Sequence, residues 1–324
     1  MLDQLAEGFI KKENIANYWE NMDKIVYNEV ENIKNKIPIK KVKDTDYMGY
    51  LAVDSAFVIK DYLYTSCYYC VAVSLSDDQK ENLITDIADI SGLNYEINCA
   101  IESEPEHETR LLEGMALSME FNLLEKYSRS YPLIFIDNSI ISVIIKLNSF
   151  LTYILNKNNR EKSEIVDYFA KKYDSIIDSV YNVLKRKNFI ACPKRSGRTE
   201  LVDYLKEQNL IDFKINNDLF LANYLLNAGE YISLPIQQKK YNLSGNYDKK
   251  EELFNIINSC KVYYLKGLSG KVFKFEVAGD LLVDVVYPYT LSKELVVLEE
   301  VDRKAKNYLN LLMNKQYFYE EDFR

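Results

Sequence analysis

The chain has 324 residues, 48% of them hydrophobic, and a formal net charge of −8. This supports a sizeable core and suits one elaborated domain or two closely joined ones. No apolar run approaches the roughly 20 residues that a membrane-spanning helix needs. The acidic, amphipathic N-terminus shows no secretory signal, so we expect a cytoplasmic protein. The negative charge argues against a chain that coats nucleic acid nonspecifically on its own.

The chain contains one histidine, His107, and five cysteines. Ser-His-Asp catalysis, Cys-His catalysis and metal sites built on several histidines are therefore disfavoured, unless they rest on His107 alone. Cys67 and Cys70 in "CYYC" have no second pair that would complete a zinc site. We predict buried free thiols instead. If the protein is an enzyme, carboxylates, with Lys or Tyr, must carry the chemistry.

The N-terminal half predicts helices followed by a sheet. Residues 3–36 have apolar positions at helical spacing and predict one long or two short helices. The β-formers in "YMGYLAVDSAFVIKD" and "YLYTSCYYCVAVSL" predict two antiparallel strands, and "LNYEINCAIES" predicts a third. "EPEHETRLLEGMALSMEFNLLEKYSRS" predicts a helix. "PLIFID" is then a short apolar run, typical of a strand buried on both faces.

The C-terminal half alternates helices and strands. Helices are predicted at about 139–157 and 161–186, followed by a strand in "NFIACPK". Helices in "RTELVDYLKEQ" and "NDLFLANYLL" precede a strand in "EYISLPI". The polar segment "QQKKYNLSGNYDKKEE" predicts a flexible insertion. "KVYYLKGLSGKVFKFEVAGD" predicts a hairpin with Gly267 and Gly270 near its turn, and a C-terminal helix is predicted from about Ser292 to Asn314.

Three acids interrupt apolar segments of the first half. Asp54 lies within the first strand, in "YLAVDSAFV", and Asp137 ends the fourth strand. Glu120 lies three and four positions from leucines of the intervening helix, which places it on or beside the buried stripe. Ionised carboxylates are rarely buried without a partner, and grouped ones repel unless a cation joins them. The three positions therefore predict a shared cation site.

The order of these acids fits a known arrangement of strands. In a sheet of ribonuclease H-like topology, the first strand, the first crossover helix and the following strand meet at one edge. Carboxylates there suit magnesium or manganese, and two such ions can promote phosphodiester hydrolysis. Taken singly, however, Asp137 in "DNS" could cap the next helix, Asp54 could begin a turn, and Glu120 could pair with a lysine.

The ordered motifs resemble those of the NurA nucleases, the partners of the HerA hexameric translocase. The family's first motif, an apolar strand ending in Asp-Gly-Ser, is similar to "LAVDSA" around Asp54. Its helical glutamate motif resembles "EFNLL" from Glu120. Its second Asp-Gly-Ser strand resembles "IDNSI" from Asp137. Ser55 and Asn138 stand where the family has glycine.

The resemblance continues in order over nearly the whole chain. "IACPKRSGR" places Lys194 at the family's lysine, and "FKFEVAGD" places Lys274 and Glu276 at its arginine and glutamate. "YPYTL" from Tyr287 resembles its Tyr-Pro motif. "EEVDRKAKNYL" resembles its final helix. For the family's C-terminal His or Asp, counting from the Tyr-Pro motif gives Leu295 and the helix motif gives Asp302, so this ligand stays unassigned.

The resemblance implies an α/β fold and an activity. The fold is a ribonuclease H-like mixed sheet flanked by helices, with N-terminal helices and a C-terminal hairpin and helix. The activity is a manganese- or magnesium-dependent DNA nuclease, a single-strand endonuclease and 5′-to-3′ exonuclease. Asp54, Glu120 and Asp137 would bind the metals, Lys194 would contact the phosphate or DNA backbone, and Tyr287 would lie at the site's rim. A ring-like homodimer would dock onto a HerA-type ATPase in DNA end processing, repair or phage defence.

Several alternatives stay open at this level. We expect one elaborated domain, with N-terminal helices at 1–45, a core at 46–235 and completing strands and helix at 236–324. Glu113, one heptad before Glu120, is the rival helical ligand, and Asp280 and Asp284 are weaker candidates. The lost motif glycines favour a second interpretation, a catalytically weak or inactive adaptor on the ATPase ring. A third is a ribonuclease H-like enzyme that acts on RNA.

Overall fold

The structure is a computed structural model that describes most of the chain. The described residues are 27, 30–61, 66–89, 107–162, 164–193, 199–211, 217–235, 247–278, 283–292 and 295–321. Within them the strands form one nine-stranded sheet in the order β1-β7-β8-β9-β6-β5-β2-β3-β4. The strands are β1 (Ile39–Lys41), β2 (Tyr50–Asp61), β3 (Ser66–Ser76), β4 (Glu81–Asp89), β5 (Leu133–Ile136), β6 (Phe189–Ala191), β7 (Glu230–Pro235), β8 (Cys260–Lys266) and β9 (Val272–Ala278).

Helices connect and cover these strands. They are α1 (His107–Tyr127), α2 (Ile140–Leu155), α3 (Lys157–Lys162), α4 (Glu164–Lys171), α5 (Tyr173–Leu184), α6 (Glu200–Glu207), α7 (Asp218–Leu225), α8 (Lys250–Asn258) and α9 (Val296–Glu321). Two 3₁₀ helices span Ser128–Ser130 and Val283–Tyr289. None of the helices in the described ranges combines the length and apolar character that crossing a lipid bilayer requires.

The sheet is mixed, with parallel strands at its centre. β2 pairs with β5 and β5 with β6 in parallel, whereas β3, β4, β7, β8 and β9 pair antiparallel to their neighbours. A parallel pair needs a crossover, and α1 provides it between the β2–β4 meander and β5. The architecture is the α/β, ribonuclease H-like mixed sheet flanked by helices, which confirms the predicted fold class.

Helices cover both faces of the sheet. Leu51 and Val53 of β2 lie in one core with α1, α2 and α5. Tyr50 and Ala52 point to the opposite face and lie in a second core with α9. A third core packs α6 and α7 against β7, β8 and Val272 of β9. Alternation along β2 therefore assigns each of its side chains to a defined helical layer.

Most predicted elements form, with several corrections. The helix predicted at 161–186 is interrupted at Lys172, which separates α4 from α5. The third strand of the meander is β4, from Glu81 to Asp89. The strand predicted in "LNYEINCAIES" lies outside the described residues, as does much of the predicted insertion, but α8 forms from its last residues. The hairpin of β8 and β9 is confirmed, with Gly270 at φ +76° in its turn.

The cysteines behave as predicted wherever they are described. Cys70, Cys192 and Cys260 are buried and Cys67 is half-buried, and all four are free thiols. Cys67 packs against the α9 side of the sheet and Cys70 against the α1 side, as expected for strand residues three apart. Cys99 lies outside the described residues. The "CYYC" motif is thus a packing feature of β3.

Candidate functional site

Asp54 and Asp137 lie beside each other because of the strand register. In the parallel pair of β2 and β5, the last paired residues are Val53 and Ile136. Asp54 and Asp137 each follow directly. Neighbouring strands are about 4.8 Å apart, so the backbones at these two acids are adjacent. β5 ends here, whereas β2 continues to Asp61 in its pairing with β3, which leaves Asp54 next to the open end of β5.

Glu120 reaches the same edge from α1. It is buried at 6% exposure on the helical face that also buries Leu117 and Leu124, in agreement with the predicted stripe. Its Oε1 accepts a short hydrogen bond from the hydroxyl of Ser55. Ser55 follows Asp54 on β2, and its backbone N–H donates to Asp54 Oδ1 at 2.8 Å. Ser55 therefore links the carboxylates of β2 and α1.

We call Asp54, Glu120 and Asp137 the acid cluster; within it, burial and like charge favour the protonated forms of Asp54 and Glu120. Burial raises the pKa of Asp54 to about 8, and the negative charges of Glu120 and Asp137 add to the rise. Burial also raises the pKa of Glu120 to about 7, with Asp137 acting in the same direction. The hydrogen bond from Ser55 and the charge of Lys146 only partly oppose this rise. For Asp54 and Glu120, burial and like charge therefore outweigh the hydrogen bonds and the positive charge that favour ionisation.

A fourth acid, Asp302, lies within electrostatic reach of the cluster. Its charge adds to the raised pKa of Asp54, and its Oδ2 is 2.7 Å from the Nζ of Lys306. Leu295, the other candidate for the family's C-terminal ligand, is apolar and buried at 2% exposure in the α9 core. Of these two residues, only Asp302 can act on Asp54 by charge, and the family's C-terminal ligand stays unassigned. The signal in the sequence was an acid directly beside the apolar stripe of a helix, the same signal that marked Glu120.

The other candidate acids have structural partners elsewhere. Glu113, the rival on α1, is 3.4 Å from the ammonium of Lys146. Asp284 is buried at 4% exposure, and its Oδ1 accepts the backbone N–H of Lys43 at 3.0 Å. That bond ties the segment before β2 to the 3₁₀ helix. Asp280 lies outside the described residues.

The two other predicted site residues are Lys194 and Tyr287. Lys194 lies outside the described residues, although the backbone N–H of Cys192 donates to Ile136 at 3.0 Å and so brings the end of β6 beside Asp137. The Tyr287 hydroxyl packs against Gly229, where an added Cβ would lie 3.2 Å away. Gly229 precedes β7. Four strands (β8, β9, β6 and β5) lie between β7 and β2, the strand that carries Asp54. A role for Tyr287 at the site stays a prediction.

Lys274 and Glu276, the residues at the family's arginine and glutamate, form a second charged group on β9. The Nζ of Lys274 is 3.1 Å from Glu200 and 3.3 Å from Glu276. The Tyr264 hydroxyl contacts Glu200 at 3.4 Å and donates to Asp218 at 2.5 Å. We call these five residues the lysine network. It is nearly inaccessible to solvent, since Lys274 and Glu276 are each 1% exposed.

The donor set of the acid cluster fits a hard divalent cation. Carboxylate oxygens are the ligands that magnesium and manganese prefer, and a cation would offset the burial and the repulsion that raise the pKa of Asp54 and Glu120. Across the described ranges, no three His, Cys, Asp or Glu side chains converge closely enough to hold a metal ion as oriented. Glu120 turns to Ser55 and Asp302 to Lys306. Side-chain rotation would be needed to gather the carboxylates.

The fold is shared with solved NurA structures. The NurA nuclease from Sulfolobus solfataricus superposes with a TM-score of 0.58 and 12% identity, covering 96% of this chain and 97% of that one. A structure of NurA with manganese gives 0.57 and 12%, covering 92% and 98%. A structure of NurA bound to dAMP and manganese gives 0.53 and 11%, covering 90% and 92%. The predicted resemblance is thereby confirmed at the level of the fold.

Comparison by sequence adds nothing to this likeness. No family model matches the chain, and no curated protein matches it. At 11–12% identity, a shared fold does not carry activity from one protein to another. The function must therefore be argued from the residues of the acid cluster.

Proposed function

We propose that this protein is a divalent-metal-dependent DNA nuclease that hydrolyses phosphodiester bonds. The observation that carries the proposal is the acid cluster. At the edge of the central parallel strands, burial and neighbouring negative charges raise the pKa of Asp54 and Glu120, and Asp137 contributes to both rises. Buried carboxylates that lack sufficient positive charge have a chemical use when a cation completes them. The NurA-like fold supports the same reading.

Asp54, Glu120 and Asp137 would hold Mn²⁺ or Mg²⁺, with Asp302 beside them. Two such ions, when bound, supply an activated water and stabilise the leaving oxygen of the phosphodiester. The chain's own contribution is to position these carboxylates. Lys146 favours the ionised form of Glu120. Lys194, which follows β6, would bind the scissile phosphate or the DNA backbone.

The proposed substrate is single-stranded DNA or DNA ends, cut as an endonuclease and a 5′-to-3′ exonuclease. The similar structures with manganese and with dAMP support a manganese-assisted reaction on DNA. We propose that the chain works as a homodimer docked on a HerA-type hexameric ATPase, in DNA end processing or phage defence. Because its net charge is −8, free protein should bind DNA weakly and salt-sensitively, with the ATPase feeding the strand to the site.

The proposal is tested by nuclease assays on single-stranded DNA with Mn²⁺. The set comprises wild type, Asp54→Ala, Asp137→Ala and the control Glu113→Gln. Wild type and the control should cut, because removing the Glu113 carboxylate leaves Lys146 in place to favour the ionised form of Glu120. Both alanine variants should be inactive. Equal cutting by wild type and the two alanine variants would refute the proposal. RNA or hybrid strands in parallel reactions test the RNA-directed alternative.

A second candidate function, an inactive adaptor on the ATPase ring, is favoured by one observation. Ser55 stands where the family's first motif has glycine, and its hydroxyl donates a hydrogen bond to Oε1 of Glu120. That bond competes with metal coordination. The adaptor would form a stable complex with the hexameric ATPase and show no cleavage, alone or in the complex, at any Mn²⁺ concentration tested. Metal-dependent cleavage that Asp137→Ala abolishes would exclude it.

A further inference from the structure

We propose that Glu276 is a positioning residue for Asp137 and acts through the first turn of α2. The proposal rests on the proposed function, because it concerns the same acid cluster. The carboxylate of Glu276 is far along the chain from Asp137, yet its Oε2 accepts the backbone N–H of Ile140 at 2.7 Å. Ile140 is the first residue of α2 and lies three positions after Asp137.

Strand register brings Glu276 to this point. Ala191 of β6 is opposite Glu276 of β9, and on its other side Ala191 is opposite Ile136 of β5. Glu276 is therefore two strands away from the residue that precedes Asp137. The side chain crosses β6 at the level where β5 ends and α2 begins.

A carboxylate suits this position for two physical reasons. The first N–H groups of a helix have no partner within it, and the helix dipole favours a negative charge at this end. Ser139 supplies one cap, since its side chain accepts the N–H of Ser142 at 3.1 Å. Glu276 supplies the second, to Ile140. With 1% exposure, it makes this bond where water competes little.

The lysine network holds the Glu276 carboxylate in place. Its Oε1 has no hydrogen bond within the described chain and faces the ammonium of Lys274 at 3.3 Å. Lys274 is in turn held by both carboxylate oxygens of Glu200, at 3.1 and 3.2 Å. Residues 274 and 276 share one face of β9, so the ion pair fixes Glu276 on the side from which it reaches α2.

These contacts fix both ends of the short connection that carries Asp137. Ile136 is held by its parallel pairing with Val53 and by the N–H of Cys192. Ile140 is held by Glu276. Only residues 137–139 lie between. The orientation of Asp137 is therefore set from both sides, as metal-binding carboxylates require of their supporting groups.

Two variants of Glu276 separate the effect of side-chain length from the effect of charge. Glu276→Gln keeps an oxygen that can accept the Ile140 N–H, whereas Glu276→Asp keeps the charge but withdraws the carboxylate by one methylene. We measure Mn²⁺ affinity from the electron paramagnetic resonance signal of free Mn²⁺, well below each variant's melting temperature. Loss of supporting groups typically weakens metal affinity about 10- to 100-fold. We expect about 10-fold weaker binding for Glu276→Asp and a change within about threefold for Glu276→Gln.

Asp284 offers a matched control for lost stability. It too is a buried carboxylate that accepts a backbone N–H from a distant segment, but it lies away from the acid cluster. Asp284→Asn should lower the melting temperature and leave Mn²⁺ affinity unchanged. Wild-type affinity in Glu276→Asp, or an equal loss in Asp284→Asn, would overturn the positioning role.

The same titrations separate this proposal from the proposed function. If wild type binds no Mn²⁺, the metal site fails, and the positioning role fails with it. If wild type binds Mn²⁺ and cuts DNA while Glu276→Asp does both equally well, only the positioning role fails. Steady-state cleavage of a short oligonucleotide gives the second readout. With Mn²⁺ saturating, Glu276→Asp should lower kcat and leave KM within about twofold, because Glu276 does not touch DNA.

Discussion

The acid cluster and the lysine network are both groups of carboxylates in the same sheet, and they differ in what neutralises them. In the lysine network, Lys274 lies between Glu200 and Glu276, and Oε2 of Glu276 also accepts the backbone N–H of Ile140. In the acid cluster, the strongest effects on Asp54 after burial are the negative charges of Glu120 and Asp137. Lys274 thus acts as the cation of the lysine network, whereas in the acid cluster the charge of Lys146 offsets the raised pKa of Glu120 only in part.

This difference separates structural from functional acids. A buried carboxylate with built-in partners contributes to one defined packing, and its loss should appear as lost stability. A carboxylate that raises the pKa of its neighbours destabilises the metal-free fold, and we propose that the protein retains such carboxylates for the metal that they bind. Neutralising a residue in each group should therefore change stability in opposite directions.

The largest expected effect comes from neutralising Asp54. Asp54→Asn should lower the rate of Mn²⁺-dependent cleavage by about 10³-fold, roughly 4 kcal/mol in activation free energy. The free energy of unfolding at pH 8 without metal should rise, because a repelling charge is removed. Cleavage assays and urea unfolding measure the two effects. Loss of activity together with loss of stability would contradict the comparison.

Removing the lysine of the network should have the opposite effect on stability. Lys274→Met leaves Glu200 and Glu276 buried without their ammonium and should lower the free energy of unfolding by about 3 kcal/mol. The control is Lys306→Met, which removes an ion pair of a lysine whose side chain is 64% exposed. It should cost less than about 0.5 kcal/mol. Equal losses of unfolding free energy in Lys274→Met and Lys306→Met would show that Lys274 does not stabilise the lysine network.

The stability of the metal-free protein should fall as the pH rises from 6 to 8. The pKa of Asp54 is raised to about 8 and that of Glu120 to about 7, both above their unfolded values. The folded state therefore holds more protons than the unfolded state across this window, and ionising the acids costs folding free energy. We expect a loss on the order of 2 kcal/mol. Urea unfolding at each pH measures it, and Asp54→Asn should flatten the dependence.

The smallest expected effect concerns the residue at the first motif glycine. Ser55→Ala removes the hydrogen bond that holds Glu120 in the metal-free state. Mn²⁺ should then bind about fivefold tighter, roughly 1 kcal/mol. Ser118→Ala, on the helix that carries Glu120, is the control, since the Ser118 hydroxyl donates to the backbone carbonyl of Met115. Unchanged Mn²⁺ affinity in Ser55→Ala would show that Ser55 does not compete with the metal.

Local patterns in the sequence predict the elements that carry the site. Alternation and β-formers predicted β2 and β3, the short apolar run predicted β5, and the helical period predicted the burial of Glu120. The patterns missed the break at Lys172 in the helix predicted at 161–186, and they did not predict β4. Such boundaries depend on tertiary contacts that no local period records.

The sequence by itself determined that any catalysis must rest on carboxylates, with Lys or Tyr, and it determined which acids interrupt buried segments. Only the tertiary structure decided which of these acids lie close enough to interact electrostatically. It placed Asp302 within reach of Asp54, paired Glu113 with Lys146, and brought Glu276 to the start of α2. The reason is physical: period and burial are local properties of the chain. Electrostatic coupling instead depends on distances that strand order and register set between remote segments.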